Sequence, residues 1–273
     1  MHKIKAIISG SDGTLVDSLY MIRRGQYEAA VEYMVERGIG RHGLPTYEEY
    51  ERVVNQSVGG RTRETMEKSL RLLFAKNNKE QLAEINFDDL ERRLGPIQDR
   101  LTPLCVHPFY DLTAFLHWMG QQKLFLGVFT SGSRYQVIRN WGSALPGLGY
   151  TTLYLQAGVS EEEKIAAIIG RTKALHGLQK FSIVTSDDVT ATKPDPEGIH
   201  KTLQELGVSS EEAIMVGDLE ADITAGKQAG VLSVGIAHGF GTVDELTKVG
   251  ADKVVKDLAE LRDFVESLNS DKA

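Results

Sequence analysis

Chemistry-bearing side chains concentrate in four short segments of this sequence. The side chains that could do chemistry are Asp12, Thr130, Lys193, Asp218 and Asp222. Magnesium prefers hard oxygen ligands together with a substrate phosphate, and phosphoryl transfer needs positive charge and hydrogen-bond donors around the equatorial oxygens. Three carboxylates, a hydroxyl and an ammonium could meet those needs. If the fold brings the segments together, the sequence predicts a site for magnesium-assisted chemistry on a phosphoryl group.

Each segment, taken alone, also has a purely structural interpretation. Asp12 and Lys193 could lie in turns, because each precedes a turn-forming glycine or proline. Thr130 and Asp218 could cap the N-termini of helices. The chemical interpretation therefore depends on where the fold places the segments.

Short apolar runs recur along the chain, and each of the four segments follows one of them. The runs are 4–9, 124–129, 181–185, 213–216 and 231–236. Helical stretches separate these runs, and strands that alternate with helices predict right-handed βαβ units and a parallel sheet. Sites in such sheets gather at the carboxyl ends of the strands, so we expect the four segments to meet at one edge.

Residues 17–103 carry a helical period and no convincing strand. Apolar residues recur on one face at Leu19, Ile22, Tyr27, Ala30 and Met34. Further helices are predicted over 48–54, 62–74 and 87–94. The pattern predicts an α/β protein whose core is a doubly wound parallel sheet, residues 1–16 and 104–273, with an inserted all-helical domain, residues 17–103.

The order and content of the four segments resemble the motifs of the haloacid dehalogenase superfamily. Segment 9–18 is similar to the first motif, in which two aspartates two apart precede Gly-Thr-Leu, and Asp12 matches the second aspartate. The later segments are similar to the family's strand-end Thr or Ser, its Lys-Pro segment and its Gly-Asp-x-x-x-Asp. A helical insert after the first motif resembles the cap of the phosphoglycolate phosphatase and β-phosphoglucomutase subgroup. The resemblance covers nearly the whole chain and implies a Rossmann-like core with a cap domain.

The resemblance implies a phosphoric monoester hydrolase that uses Mg2+ and acts on a small phosphorylated metabolite. It implies that Thr130, with Ser131 and Gly132, binds the phosphoryl oxygens, and that Lys193 neutralises the phosphate. Asp12 would act as general acid and base. The implied metal ligands are Asp12, Asp218 and Asp222.

Position 10 departs from the family pattern, because Gly10 stands where the first aspartate attacks phosphorus. Glycine cannot form the covalent intermediate, and it also removes one magnesium ligand. Loss of a nucleophile costs other enzymes about a millionfold in turnover, or on the order of 8 kcal/mol of barrier. Ser9 and Ser11 are poor substitutes, since alternation along the strand end points their side chains elsewhere. We expect phosphate recognition to survive, magnesium binding to weaken and turnover largely to vanish.

Three explanations of Gly10 stay open: a natural pseudoenzyme that binds a phosphorylated ligand, an altered copy of an active phosphatase, and direct attack by water with Asp12 as base. The main alternative to an impaired phosphatase is therefore a non-catalytic phosphate-binding or interaction protein. A phosphomutase or phosphonate hydrolase is a lesser alternative. The stretch 140–180 is longer than this subgroup usually has and could form an extra surface helix or a partner contact.

Segment 59–63 is the predicted substrate-selecting loop of the cap. Its glycines free the backbone, and Arg61 and Arg63 can bind an anion through two parallel hydrogen bonds. The alternative is the charged start of a helix.

Composition narrows the class of partner and the compartment. The formal charge of −7, without a basic cluster, argues against a nucleic-acid-binding surface. The sequence has no run of 18 apolar residues, so it predicts no membrane span. Its N-terminal segment has no secretory signal pattern. The single cysteine excludes an internal disulfide and fits a reducing cytoplasm.

Overall fold

The computed structural model describes residues 3–39, 44–57, 61–74, 85–145 and 156–270. By its internal contacts the chain divides into two units. One comprises Met1–Asp17 and His107–Ala273, and the other comprises Ser18–Val106. We call them the core and the insert; the assignment of the insert as a substrate-selecting cap stays a prediction. In the part of the chain that is described, no helix is both long and apolar enough to cross a membrane.

The core is built on a six-stranded parallel sheet. The strands of the described residues are β1 (Ala6–Ser9), β2 (Val16–Asp17), β3 (His107–Pro108), β4 (Phe125–Phe129), β5 (Phe181–Val184), β6 (Ala213–Gly217), β7 (Leu232–Ile236) and β8 (Lys253–Val255). Their order in the sheet is β5-β4-β1-β6-β7-β8, while β2 and β3 pair separately as an antiparallel ribbon. The central strands are buried along their whole length, as expected when helices cover both faces of a parallel sheet.

Helices alternate with these strands. The core helices are Leu112–Gln121, Arg134–Ala144, Glu161–His176, Glu197–Leu206, Glu220–Gln228, Val243–Lys248 and Leu258–Ser270. The predicted α/β class and doubly wound parallel sheet are therefore confirmed, and all five predicted apolar runs form strands. Strand β8 and the β2–β3 ribbon were missed, because two or three residues are too short for a periodic signal.

Within its described residues the insert forms helices joined by turns and no strand, as predicted. Its helices are Leu19–Arg37, Tyr47–Asn55, Thr62–Phe74 and Phe87–Cys105. The last was predicted to end at residue 94, before Gly95 and Pro96, and that end was wrong. Ile97 and Leu101 continue the buried face, so packing outweighs the missing hydrogen bond of the proline.

An imidazole pair joins two helices of the core. His117 Nδ1 lies 2.6 Å from His176 Nδ1, so helix Leu112–Gln121 contacts the end of helix Glu161–His176. His176 is buried, whereas His117 is exposed. Burial, and after it the charge of His117, lowers the pKa of His176 to about 4.

This pair predicts a loss of stability in acid. The unfolded chain binds a proton at His176 below a pKa of about 6.5, whereas the folded chain keeps it neutral down to about 4. The contribution to the free energy of unfolding is therefore full above pH 6.5 and falls by about 1–3 kcal/mol as the pH drops toward 4. Urea unfolding near pH 7 and pH 5 should show a smaller acid loss for His176→Gln than for the parent. His200→Gln, at an exposed histidine, is the control, and equal losses in parent and His176→Gln would contradict the prediction.

Candidate functional site

The carboxyl ends of β1 and β6 mark the topological switch point of the sheet. From β1 the chain builds outward to β4 and β5, and it then returns to β6 on the other side of β1. Open α/β sheets bind ligands in the crevice at such points. Gly10 directly follows β1 and Asp218 directly follows β6, so both stand at this crevice.

Asp218 is a buried carboxylate held by donors from two loops. Its Oδ1 accepts a hydrogen bond from the Thr14 hydroxyl at 2.8 Å, and its Oδ2 accepts one from the backbone N–H of Phe240 at 2.8 Å. Gly13 permits this approach, since its φ is +77° and a Cβ there would lie 2.3 Å from Asp218 Oδ2. The first and fourth predicted segments are thus in contact.

Lys193 connects the third segment to the fourth. Its Nζ lies 2.5 Å from Asp222 Oδ1, and the two side chains are only 8% and 2% exposed. The second oxygen of Asp222 accepts the N–H of Leu219 at 3.0 Å. Lys193 Nζ also lies 5.6 Å from the ring centroid of Phe129, the residue before Thr130. The ammonium is therefore held between the ends of β4 and β6.

The second segment emerges beside the first. Strand β4 pairs with β1, with Val128 opposite Ser9, so Thr130 leaves the sheet at the same edge as Gly10. Thr130 Oγ1 accepts the N–H of Gly132 at 3.1 Å. Ser131 Oγ is buried and makes no hydrogen bond within the described residues. A buried hydroxyl without a partner is uncommon in folded proteins and suits a site whose ligand supplies the missing acceptor.

Helix Arg134–Ala144 holds the loop after β1 with consecutive side chains. Asn140 Nδ2 donates to Asp12 Oδ1 at 2.6 Å, and Trp141 Nε1 donates to Ser11 Oγ at 2.9 Å. Arg139 Nε donates to the Asn140 oxygen at 3.0 Å. Because Ser11 is occupied by Trp141, its side chain points away from a nucleophile position, as the alternation argument predicts.

Gly10 faces Thr14 and Asp222, which bond Asp218 and Lys193 in turn. A Cβ built on Gly10 would lie 2.7 Å from Thr14 Oγ1 and 3.7 Å from Asp222 Oδ1. Any side chain at position 10 would therefore point into the carboxylate–lysine cluster. That position 10 is the place of a nucleophilic carboxylate stays a prediction.

The electrostatics of the crevice are dominated by buried negative charge. Burial, and after it the charge of Asp222, raises the pKa of Asp218 to about 7, although the Phe240 N–H, the Thr14 hydroxyl and Lys193 oppose the rise. A carboxyl group perturbed in this way and placed in a crevice is typical of functional sites. A bound cation would favour its charged form.

The residues fit a divalent cation in charge but not fully in ligand number. Among the described residues, the ammonium that pairs with the buried carboxylates Asp218 and Asp222 is that of Lys193, which contacts Asp222. Yet both oxygens of Asp218 already accept protein hydrogen bonds, and Asp222 is paired. The part of the chain that the structure describes holds no group of three or more His, Cys, Asp or Glu side chains arranged around a common metal position. Ligation of Mg2+ by Asp12, Asp218 and Asp222 stays a prediction.

Two other predicted features are the substrate-selecting loop 59–63 and the long stretch 140–180, and the structure describes each of them only in part. Arg61 and Arg63 are exposed in the insert, where Arg63 pairs with Asp88 and the N–H of Arg61 donates to Glu64. Gly59 and Gly60 lie outside the described residues, and the role of this loop in substrate binding stays a prediction. In the long stretch 140–180, helix Glu161–His176 packs on its neighbours, and residues 146–155 lie outside the described residues.

Four residues that sequence reasoning did not assign also shape the site. They are Thr14, Asn140, His238 and Phe240. His238 Nε2 lies 2.9 Å from the carbonyl oxygen of Thr14, and its ring stacks on Phe109 at 3.7 Å. The Gly-Phe-Gly of 239–241 was a usable signal, because glycines flanking a backbone donor allow close approach. Asn140 carried no such signal, since it lies mid-helix, far along the chain from Asp12.

Part of the core sequence matches a known family. The family described as haloacid dehalogenase-like hydrolase matches residues 156–236. The matched region contains Lys193, Asp218 and Asp222, whereas Gly10 and Asp12 lie outside it. Pyrophosphatase PpaX from Halalkalibacterium halodurans is 39% identical over 93 residues, which cover 33% of this chain and 43% of that protein. The chain thus spans less than half the length of this curated relative.

Solved structures resemble the fold over nearly the whole chain. A predicted phosphoglycolate phosphatase from Haemophilus somnus has a TM-score of 0.68 at 17% identity and covers 97% of this chain and 99% of its own. A mutant of CbbY from Rhodobacter sphaeroides, in complex with xylulose-1,5-bisphosphate, has a TM-score of 0.64 at 20% identity, with 94% and 96% covered. Together with the sequence match, these structures confirm the predicted resemblance.

Proposed function

We propose that this chain, a haloacid dehalogenase-like hydrolase by fold and core sequence, recognises small phosphorylated metabolites and has lost most of its phosphatase turnover through Gly10. The observation that carries the proposal is the meeting of all four segments at the switch point, with position 10 pointing into their cluster. The relatives named for pyrophosphate and sugar bisphosphate chemistry support phosphate monoesters or anhydrides as the ligand class.

Each residue of the cluster has a distinct part in this proposal. The hydroxyls of Thr130 and Ser131 donate to phosphoryl oxygens, and the ammonium of Lys193 offsets their charge. Asp12, oriented by Asn140, protonates the leaving oxygen. When bound, Mg2+ would add positive charge at the phosphoryl oxygens, held by Asp218 and Asp12 with Asp222 in support. The group that is missing is the attacking carboxylate, so binding survives where covalent transfer does not.

A non-catalytic role is the alternative that Gly10 itself favours. A pseudophosphatase would keep the phosphate contacts and lose only the attacking group, and the presence of Asp12, Thr130, Lys193 and Asp218 at the same sheet edge as Gly10 supports that role. A cytoplasmic location is part of the proposal, on the single cysteine and the phosphorylated ligand class.

Inorganic phosphate should bind the parent protein in calorimetric titration. Thr130→Val should weaken that binding by about tenfold, because a hydrogen bond from a neutral hydroxyl to a charged acceptor is lost. Thr202→Val is the matched control, since the Thr202 hydroxyl is equally buried but bonds only the Gly198 carbonyl of its own helix.

Two outcomes would count against the proposed function. One is an absence of saturable phosphate binding by the parent at millimolar concentration. The other is an equal effect of Thr130→Val and Thr202→Val on affinity, since that would place Thr130 outside the phosphate site.

A further inference from the structure

The Thr14 hydroxyl donates to an oxygen of Asp218, the carboxylate that the proposed function takes as a metal ligand. Thr14 and Asp218 are 0% and 1% exposed, and Thr14 Oγ1 donates to Asp218 Oδ1 at 2.8 Å. The other oxygen is taken by the Phe240 N–H. Each oxygen of Asp218 therefore accepts one hydrogen bond from the protein itself.

Glycine at position 10 is what leaves room for this hydroxyl. A Cβ at position 10 would approach Thr14 Oγ1 to 2.7 Å, closer than a non-bonded carbon and oxygen tolerate. Threonine is β-branched and has few χ1 positions, so it cannot relax by a small rotation. Any side chain at position 10 would require the Thr14 hydroxyl to rotate away or its loop to shift, and either change would weaken the hydrogen bond to Asp218.

We propose that Gly10 and Thr14 act together as a lock that keeps Asp218 in a metal-free arrangement. The hydroxyl hydrogen and a divalent cation would compete for the same carboxylate oxygen, and the absence of a Cβ at position 10 favours the hydroxyl. The inference rests on the proposed function only in taking Asp218 as the ligand for the cation. Loss of the aspartate thus weakens magnesium binding twice, by removing one ligand and by admitting a competitor for another.

The test measures binding of magnesium chloride alone, by calorimetry and by the shift in melting temperature. Thr14→Val removes the hydroxyl and nearly keeps the shape of the side chain, so it should bind Mg2+ about tenfold more tightly than the parent. Thr14→Ser keeps the hydroxyl and should bind as the parent does. Thr202→Val, which removes another buried hydroxyl, should leave the affinity for Mg2+ unchanged.

A second variant reaches the same contact from the other side. Gly10→Ala supplies no ligand, but its Cβ displaces the hydroxyl, so it should raise the affinity for Mg2+ by a similar factor. The double variant Gly10→Ala/Thr14→Val should gain nothing beyond Thr14→Val. If Thr14→Val does not fold, Gly10→Ala decides the matter alone.

The lock is overturned if neither Thr14→Val nor Gly10→Ala binds Mg2+ more tightly than the parent, or if the gains of the two variants add. That result would leave phosphate binding by the parent untouched. Conversely, failure of the parent to bind phosphate would contradict the proposed function, and the Mg2+ affinities of the variants would still test the lock.

Discussion

Gly10→Asp is expected to restore magnesium-dependent hydrolysis of a generic aryl phosphate, with turnover rising by about a thousandfold to a millionfold over the parent. The new side chain would leave the end of β1 toward Asp222 and Thr14, because a Cβ at position 10 lies 3.7 Å and 2.7 Å from their nearest oxygens. On the proposed function, it would supply the attacking carboxylate and one more oxygen ligand for Mg2+.

The same substitution carries a cost without the metal. A third carboxylate would join Asp218 and Asp222 in a buried crevice where burial and like charge already raise the pKa of Asp218 to about 7. Gly10→Asp should therefore melt below the parent in EDTA, and the difference should shrink when magnesium is added. This stabilisation by metal follows from binding to the folded state alone.

Gly10→Asn is the matched control for the restored nucleophile. It has nearly the same size and displaces the Thr14 hydroxyl in the same way, but an amide does not attack phosphorus. Initial rates should be measured for both variants and the parent, with magnesium and with EDTA. If Gly10→Asp hydrolyses the ester no faster than Gly10→Asn, the chain is not a phosphatase lacking only its nucleophile, and the non-catalytic binding role gains.

The features that sequence could predict are those that a local pattern encodes. The apolar runs that form β1, β4, β5, β6 and β7 are each bounded by polar turn residues. The hydrophobic pattern and the turn residues therefore predict the same strand bounds. Parallel βαβ topology then brings the strand ends to one edge, which is why Asp12, Thr130, Lys193 and Asp218 were expected together. The types of these residues predicted the chemistry, and the sheet topology predicted that the residues lie at one edge.

The features that sequence could not predict are contacts between distant segments. Asn140 reaches Asp12 from a helix that follows another strand, and nothing in the helical period distinguishes it from a packing residue. The Thr14–Asp218 hydrogen bond joins residues 204 positions apart, and a Cβ at position 10 would lie only 2.7 Å from its hydroxyl. Pairing of this kind is decided by packing density and hydrogen-bond geometry in the folded state.

Lys193→Met is expected to destabilise the fold by about 3–5 kcal/mol, the usual cost of leaving a buried charge without its partner. Lys193 Nζ lies 2.5 Å from Asp222 Oδ1, and the side chains of Lys193 and Asp222 are 8% and 2% exposed. Without the ammonium, Asp222 keeps only the Leu219 N–H. Its charge would also lie uncompensated beside Asp218, whose raised pKa already reflects that neighbour.

Removing Lys193 alone should cost more stability than removing the charges of both Lys193 and Asp222. Lys193→Met/Asp222→Asn should recover most of the lost stability, because the asparagine oxygen still accepts the Leu219 N–H and no charge remains unpaired. Lys227→Met is the matched control: it breaks the Lys227–Asp252 pair, which is 42% and 38% exposed at 3.3 Å, and it should cost at most about 1 kcal/mol. Urea unfolding of the four proteins at neutral pH measures all of these differences. A loss in Lys193→Met no larger than that in Lys227→Met would show that Asp222 is solvated or protonated in the fold. That result would contradict the coupling of Lys193 to Asp222 on which the proposed phosphate site depends.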